Sequence, residues 1–172
     1  MTDEELVRSA LAGSGDAATE IFDRHWDGCL RVAYAVCGRR ELAEDAAQDP
    51  LVTAMRRLGQ FRGPDLAAWL RRIAVNRTLT LMRGDRRLVS LDHVADAGLW
   101  DEVEMPDAAL RDGVRALSPE RRTVVVLRYW LDMSPPEIAE VLQVRLGTVN
   151  SRLARALGDL RAELEVPDAG RA

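Results

Sequence analysis

The chain has 172 residues, 47% of them hydrophobic, and a formal net charge of −4, which suits one ordinary globular domain or two small ones and excludes wholesale disorder. All 24 of its basic residues are arginine, a planar, permanently charged fork that fits phosphates and base edges. No apolar run reaches the roughly eighteen residues of a membrane span and Met1-Thr2-Asp3-Glu4-Glu5 lacks a signal peptide's layout, so a soluble, cytoplasmic chain without membrane insertion is expected.

From Asp3 to Arg83 apolar residues recur at helical spacing, with no sustained strand alternation. Leu6, Ala10 and Leu11 mark a first amphipathic helix, ended by Gly13-Ser14-Gly15, with Asp16 placed to cap the next. Ile21, Phe22, His25, Trp26, Cys29, Leu30, Ala33 and Val36 form one stripe on a second helix that Gly38 closes. A third, from Leu42 to Leu58, turns Ala43, Ala46, Ala47, Leu51, Ala54 and Leu58 inward and projects Glu41, Glu44, Asp45, Gln48 and Asp49 elsewhere. Gly59 to Asp65 reads as a Gly/Pro loop, and Leu66 to Arg83 as a fourth helix with Trp69, Leu70, Ile73, Ala74 and Leu81 in the core.

Residues 85–113 hold Gly98, Pro106, Gly113 and many acids with little periodicity, and read as a flexible linker whose Trp100 and Met105 are expected to dock on something. Ser118-Pro119, a cap followed by proline, opens a helix to about Leu131. Ser134-Pro135-Pro136-Glu137 then fits a capping box for a short helix ending near Leu142. After a tight turn comes a long amphipathic helix with Val149, Leu153, Ala156, Leu157, Leu160 and Leu164 on its apolar side. Asn150, Ser151, Arg152, Ala154, Arg155 and Gly158 face outward or flank that side. A short helix, a tight turn and an arginine-bearing helix are the parts of a helix-turn-helix, whose second helix enters the DNA major groove. Small residues there let the backbone approach DNA while Arg155 reaches base edges. The expected fold is all-α: two small helical domains, 1–84 and 114–165, joined by the 85–113 linker and followed by a 166–172 tail.

Charge alternates along the chain. Residues 1–54 hold eleven acids and five arginines, 55–90 two acids and nine arginines, 91–120 eight acids and two arginines, and 121–162 four acids and seven arginines. Two basic blocks split by acid can each meet phosphate, where a uniformly acidic face would repel it. Cys29 and Cys37 are too few and too close for a secreted disulfide framework. His25 and Cys29 lie four apart, but no CxxC pair or second histidine at ligand spacing joins them, so two buried thiols and no metal are expected. His25 and His93 are the chain's two histidines, neither sits in a nucleophile or ligand constellation, and no Gly-rich phosphate loop occurs. Neither catalysis nor a cofactor is expected.

Leu42-Ala43-Glu44-Asp45-Ala46-Ala47-Gln48-Asp49, Leu58-Gly59-Gln60-Phe61-Arg62-Gly63 and Trp69-Leu70-Arg71-Arg72-Ile73-Ala74-Val75-Asn76 resemble the second conserved region of bacterial sigma factors of the extracytoplasmic function (ECF) group, in the sigma-70 family. Leu117-Ser118-Pro119-Glu120-Arg121-Arg122, Leu127-Arg128-Tyr129, Glu137-Ile138-Ala139-Glu140-Val141-Leu142 and Gly147-Thr148-Val149-Asn150-Ser151-Arg152-Leu153 resemble the fourth. The resemblance implies an alternative RNA polymerase sigma factor, which binds core RNA polymerase and directs promoter recognition, promoter melting and initiation while the polymerase performs the catalysis. It implies that Glu44, Asp45, Gln48 and Asp49 dock on the clamp helices of the largest polymerase subunit, acid against a basic partner. It implies that Gln60, Phe61 and Arg62 capture a base flipped from the minus-ten element, and that Arg72, Asn76, Arg77 and Arg83 hold the adjacent strand. In the second module Ser151, Ala154 and Arg155 would face minus-thirty-five bases, and Thr148, Asn150 and Arg152 the phosphates. The linker would thread toward the RNA exit channel, its acids mimicking nucleic acid. An anti-sigma partner covering these faces is also implied, with Val124, Leu127 and Trp130 open to it or to the polymerase flap, and Val125 and Leu131 in the core.

The sequence departs from the family pattern at five places. Pro50 interrupts the clamp-contact helix and removes one ladder bond, at about 3 kcal/mol. A kink or break is expected there, with Pro50→Ala strengthening polymerase binding. Met55 replaces an aromatic, which a core absorbs. Gln143 and Arg145 replace a turn glycine and a cap serine, at about 1 kcal/mol each, so the recognition helix is expected to begin late or fray. Asn150 replaces a basic residue, implying a shallower salt dependence. A two-domain helix-turn-helix regulator acting without core polymerase would account for the second module but not for the Glu44-to-Asn76 block.

Overall fold

The computed structural model describes residues 1–63, 65–84, 105 and 107–165, apart from the side chains of 49–51, 53–55 and 165. The described residues form helices and no strands, in agreement with the all-α expectation, and divide into two compact units on either side of Val94.

The first unit begins with α1 (Asp3–Leu11), opened by a reciprocal capping box: the Thr2 N–H donates to Glu5 Oε2 at 2.8 Å and the Glu5 N–H to Thr2 Oγ1 at 3.3 Å. In α2 (Gly15–Cys37) the cap is Ser14 rather than Asp16: its hydroxyl accepts from the Ala17 N–H at 3.3 Å, while Asp16 lies in the first turn. Gly38 ends α2 at φ 67, a left-handed conformation that glycine adopts without a Cβ clash. Helix α2 is the hub, packed against α1, α3 and α4. Every residue from Val32 to Val36 is consequently buried, where the sequence pattern showed a single stripe. Arg24 fastens α1 to this hub. The Arg24 guanidinium lies 3.0 Å from Asp3 Oδ1, and His25 Nε2 lies 3.2 Å from Asp3 Oδ2.

Helix α3 (Arg40–Arg57) lays Ala43, Ala46 and Ala47, all fully buried, against its neighbours. Such small side chains let helix axes approach closely and keep dispersion contacts dense. The break expected at Pro50 does not occur, since α3 is helical through that residue. Buried alanines upstream and the buried Leu58 just beyond its end hold both halves in place against the loss of one ladder bond. A 3₁₀ turn (Leu58–Gln60) leads into a loop, then α4 (Leu66–Gly84) buries Leu66, Leu70, Ala74, Val75, Thr78 and Leu79. Trp69, Ile73 and Leu81, expected inside, are only half-buried.

The second unit contains a helix where little periodicity was read. Asp107 caps α5 (Ala108–Ala116), its carboxylate accepting from the Ala109 N–H at 2.9 Å. The boundary expected after residue 113 therefore cuts through α5. Gly113 reads as a breaker in sequence but is a packing residue in the fold. A Cβ there would stand 3.0 Å from Leu160 Cδ2 of the last helix. The remainder of the 85–113 stretch, with His93 and Trp100 but not Met105, lies outside the described residues, as does the 166–172 tail.

Helix α6 (Pro119–Tyr129) starts at Ser118-Pro119 as expected, although the Ser118 hydroxyl makes no capping bond. Its Thr123, Val124, Val125, Val126 and Leu127 are buried. Helix α7 (Pro135–Leu142) has the expected box: Ser134 N–H donates to Glu137 Oε2 at 2.8 Å, and the Glu137 N–H to Ser134 Oγ at 3.5 Å. Helix α8 (Leu146–Glu165) follows without the delay expected of it. Gln143 adopts the left-handed conformation itself, at φ 56, and backbone bonds close the turn, from Gln143 N–H to Glu140 O at 3.1 Å and from Val144 N–H to Ala139 O at 3.0 Å. That conformation crowds the Cβ of an L-residue. Gln143→Gly is therefore expected to raise the stability of this unit by about 1 kcal/mol in urea unfolding.

Candidate nucleic-acid interface

Helix α8 exposes one face and buries the other. Val149, Ala156 and Leu160 are buried and Leu153 is half-buried, whereas Leu157 and Leu164, expected on the apolar side, are 41% and 45% exposed. Asn150, Ser151, Ala154 and Arg155 are exposed; Thr148 and Arg152 are half-buried. At 3.6 residues per turn, Gly147, Ser151, Ala154, Arg155 and Gly158 share the solvent face. A Cβ built on Gly147 or Gly158 meets nothing within 4 Å, so the backbone is open on both sides of Arg155. Among the described residues the Arg155 guanidinium makes no ion pair or hydrogen bond. The Ser151 hydroxyl donates to Thr148 O at 3.0 Å, which leaves its oxygen free to accept. These six residues, the ones nominated for the minus-thirty-five contact, come from the first half of one helix.

In the first unit the loop before α4 is built from its own backbone. The Phe61 N–H donates to Leu58 O at 3.1 Å, and the Phe61 ring leans on Trp69 with centroids 5.5 Å apart at 52°. Arg62 folds back, donating to Phe61 O at 2.9 Å and also to Gly59 O. Asp65 caps α4 through a 2.8 Å bond from the Ala68 N–H. Gln60 and Arg62 are exposed, and Phe61 is half-buried with its ring edge beside Gly63. On α4 the exposed residues Arg72, Asn76 and Arg83 lie four and eleven positions apart along one stripe, which continues from the loop through Trp69. Arg77 stands off that stripe and is half-buried. The loop and stripe together present amide, guanidinium and aromatic groups, the chemistry that holds a splayed nucleotide strand.

Of the four residues nominated for a protein partner, Asp45 and Gln48 are exposed and Glu44 is half-buried, paired with Arg40 Nε at 2.9 Å; the Asp49 side chain lies outside the described residues, as does that of Met55. Glu44 and Gln48 join Phe22, Asp23 and Trp26 of α2 around an open cleft of about 440 Å³. Phe22 and Trp26, expected in the core, are half-buried and stacked, with centroids 5.3 Å apart at 21°. No sequence signal separates these two from the core stripe, because they share its period.

Val124 and Leu127 are fully buried, so neither is open to a partner. That unit also carries a largely apolar groove of about 390 Å³ lined by Met105, Leu110, Tyr129, Trp130, Leu157 and Leu160, among others. Cys29 is fully buried, and burial pushes its thiol up to about 12, while Cys37 donates to Arg39 O at 3.3 Å. The Cys29 thiol therefore stays protonated and inert at neutral pH. Among the described residues no helix is long and apolar enough to cross a membrane.

Both units match known proteins. Residues 21–88 match the family model described as Sigma-70 region 2, and residues 107–160 the one described as Sigma-70, region 4. The chain is 42% identical over 131 residues to the RNA polymerase sigma-E factor of Streptomyces antibioticus, with 71% of this chain and 72% of that protein covered. It is 34% identical over 170 residues to the ECF RNA polymerase sigma factor BldN of Streptomyces coelicolor, where 91% of this chain spans 63% of that longer relative. The sigma factor RpoE from Bartonella quintana, solved in complex with the anti-sigma factor NepR, is similar at a TM-score of 0.52 and 26% identity, over 83% of this chain and 93% of that one. With both regions matched in order along one chain, this protein belongs to the ECF group of the sigma-70 family of RNA polymerase sigma factors.

Proposed function

We propose that the chain binds core RNA polymerase and directs it to promoters by contacting DNA at two places, one from each unit, acting in the cytoplasm and leaving the catalysis to the polymerase. The observation that carries this is the Arg155 guanidinium, which has no partner among the described residues and is raised on an open small-residue face of the second helix of a helix-turn-helix. Ser151, Ala154 and Arg155 then read minus-thirty-five bases, and Thr148, Asn150 and Arg152 hold phosphates. Gln60, Phe61 and Arg62 receive a base from the minus-ten element, and Arg72, Asn76, Arg77 and Arg83 the strand beside it. For the flipped base to enter, Arg62 would exchange its two carbonyl bonds for nucleotide acceptors. Glu44, Asp45, Gln48 and Asp49 meet the polymerase clamp. Functionally, residues 1–84 form the first module, 85–106 the connection and 107–165 the second module.

An anti-sigma protein is the natural repressor of such a chain, since the similar RpoE is held by one. Run-off transcription with purified core polymerase over a genomic fragment library, followed by start-site mapping, tests the proposal. Starts sharing one motif pair at fixed spacing are expected. Specific DNA binding without any dependence on core polymerase would instead make the chain a free-standing regulator.

A further inference from the structure

Helix α1 has no part in the function proposed above, and it lies outside residues 21–88, which match the region 2 model. A helix this short is marginal by itself, yet it is tied down at both ends. At its start the Arg24 guanidinium of α2 donates to Asp3 Oδ1 and to the Met1 carbonyl, both at 3.0 Å, and is itself fixed by Glu20 at 2.6 Å. At its end the Ala12-Gly13-Ser14 turn returns the chain to α2, closed by bonds from the Gly13 N–H to Ala10 O and from the Ser14 N–H to Ser9 O, each at 3.0 Å. Leu6 is buried in the core, but Leu11, the last residue of α1, is 56% exposed. What Leu11 meets is the 3₁₀ turn Leu58–Gln60. Its Cδ2 lies 3.8 Å from where a Cβ on Gly59 would stand, the one atom from elsewhere in the described residues within 4 Å of that point. Glycine there leaves the leucine room to lie over the turn. The same turn shapes the loop that follows, since Leu58 O accepts from the Phe61 N–H at 3.1 Å and Gly59 O accepts from Arg62.

We infer that α1 is a brace for the minus-ten loop, with Leu11 the positioning residue that holds the Leu58–Gln60 turn in the shape from which Gln60, Phe61 and Arg62 receive a base. The inference rests on the base capture proposed above and gives that loop a support outside itself. When Arg62 gives up its carbonyl bonds to the nucleotide, the turn loses its tie at Gly59, and the contacts left to it are the buried Leu58 on the core side and Leu11 from α1. A loop already ordered when the strand arrives pays less entropy on binding it. The Arg24–Asp3 tie, at the far end of the same helix, then contributes to strand capture through the position of α1.

The test uses the full chain assembled with core polymerase. Its probes are a single strand carrying the minus-ten element of a mapped promoter and the same strand with each base of that element removed in turn. The parent is expected to bind the intact strand more tightly than the strand that lacks the captured base. Leu11→Ala is expected to weaken binding of the intact strand by about two- to thirtyfold, the range over which a residue that touches no ligand modulates a coupled site. It should leave the affinity for the base-less strand, and for core polymerase, as in the parent. Leu11→Met keeps an apolar contact of similar size and is expected to restore the preference. Asp3→Asn, at the other end of α1, is expected to lower the same preference. An unchanged preference in both Leu11→Ala and Asp3→Asn would overturn the inference. So would equal losses on intact and base-less strands in Leu11→Ala, which would make Leu11 a residue of general stability. A parent with no preference for the intact strand at any position would instead remove the base capture itself, and the brace with it.

Discussion

Arg155→Ala is expected to lower initiation from a cognate promoter by about 1–3 kcal/mol, roughly five- to 150-fold, while leaving core-polymerase affinity unchanged. The structure separates the two effects. Arg155 is exposed on α8 and has no partner among the described residues, so truncating it removes no fold contact, and alanine is the stronger helix former. The acids proposed to meet the polymerase belong to the other unit. Its neighbours Ala154 and Ser151, with open backbone at Gly147 and Gly158, keep other side chains from blocking the groove floor. The loss should therefore vanish on a promoter whose minus-thirty-five element has been scrambled. Arg155→Lys should not restore activity, because an ammonium cannot make the paired bonds of a guanidinium to a guanine edge. The measurement is run-off transcription alongside polymerase binding, and a parallel fall in both would show that Arg155 supports folding rather than base reading.

Local chemistry was readable at several helix ends where a side chain answers a backbone need, although the α2 cap fell on Ser14 rather than Asp16 and the Asp107 cap went unread. The Ser134–Glu137 box, the Gly38 stop and the Ser118-Pro119 start each satisfy or omit end-turn groups within a few residues, so no tertiary information is required. What depends on neighbours was less legible. Periodicity assigns one buried face to a helix, but α2 is surrounded by three others, so Val32, Tyr34 and Ala35 are as buried as the stripe residues. Helix α5 escaped because Gly113 and the nearby acids mask the Leu110, Val114 and Leu117 spacing, and only the contact with Leu160 explains that glycine. The site residues followed the same division. Their identities came from motifs, whereas the off-stripe position of Arg77, the folded-back Arg62 and the burial of Val124 and Leu127 are properties of the packed units.

Pro50→Ala is expected to stabilise the first unit by up to about 3 kcal/mol. A helix interior demands an N–H at each residue, and proline has none, so the carbonyl four residues earlier, that of Ala46, loses its ladder donor. The Ala46 side chain is fully buried, so water has poor access to that part of the helix and the missing bond is costly. Helix α3 nonetheless continues to Arg57, so the proline does not end it. The gain should then appear in stability rather than in polymerase affinity. Glu44, Asp45 and Gln48 precede Pro50 on a continuous helix, and their spacing is set upstream of it. Thermal unfolding followed by circular dichroism should show a Tm rise of about 4–8 °C for each kcal/mol gained in a unit of this size. Core affinity should stay within about twofold, a change of under about half a kcal/mol. A large rise in affinity with little change in Tm would mean that α3 is bent in the free chain and straightens on the polymerase, which would reverse the order of cause assigned here.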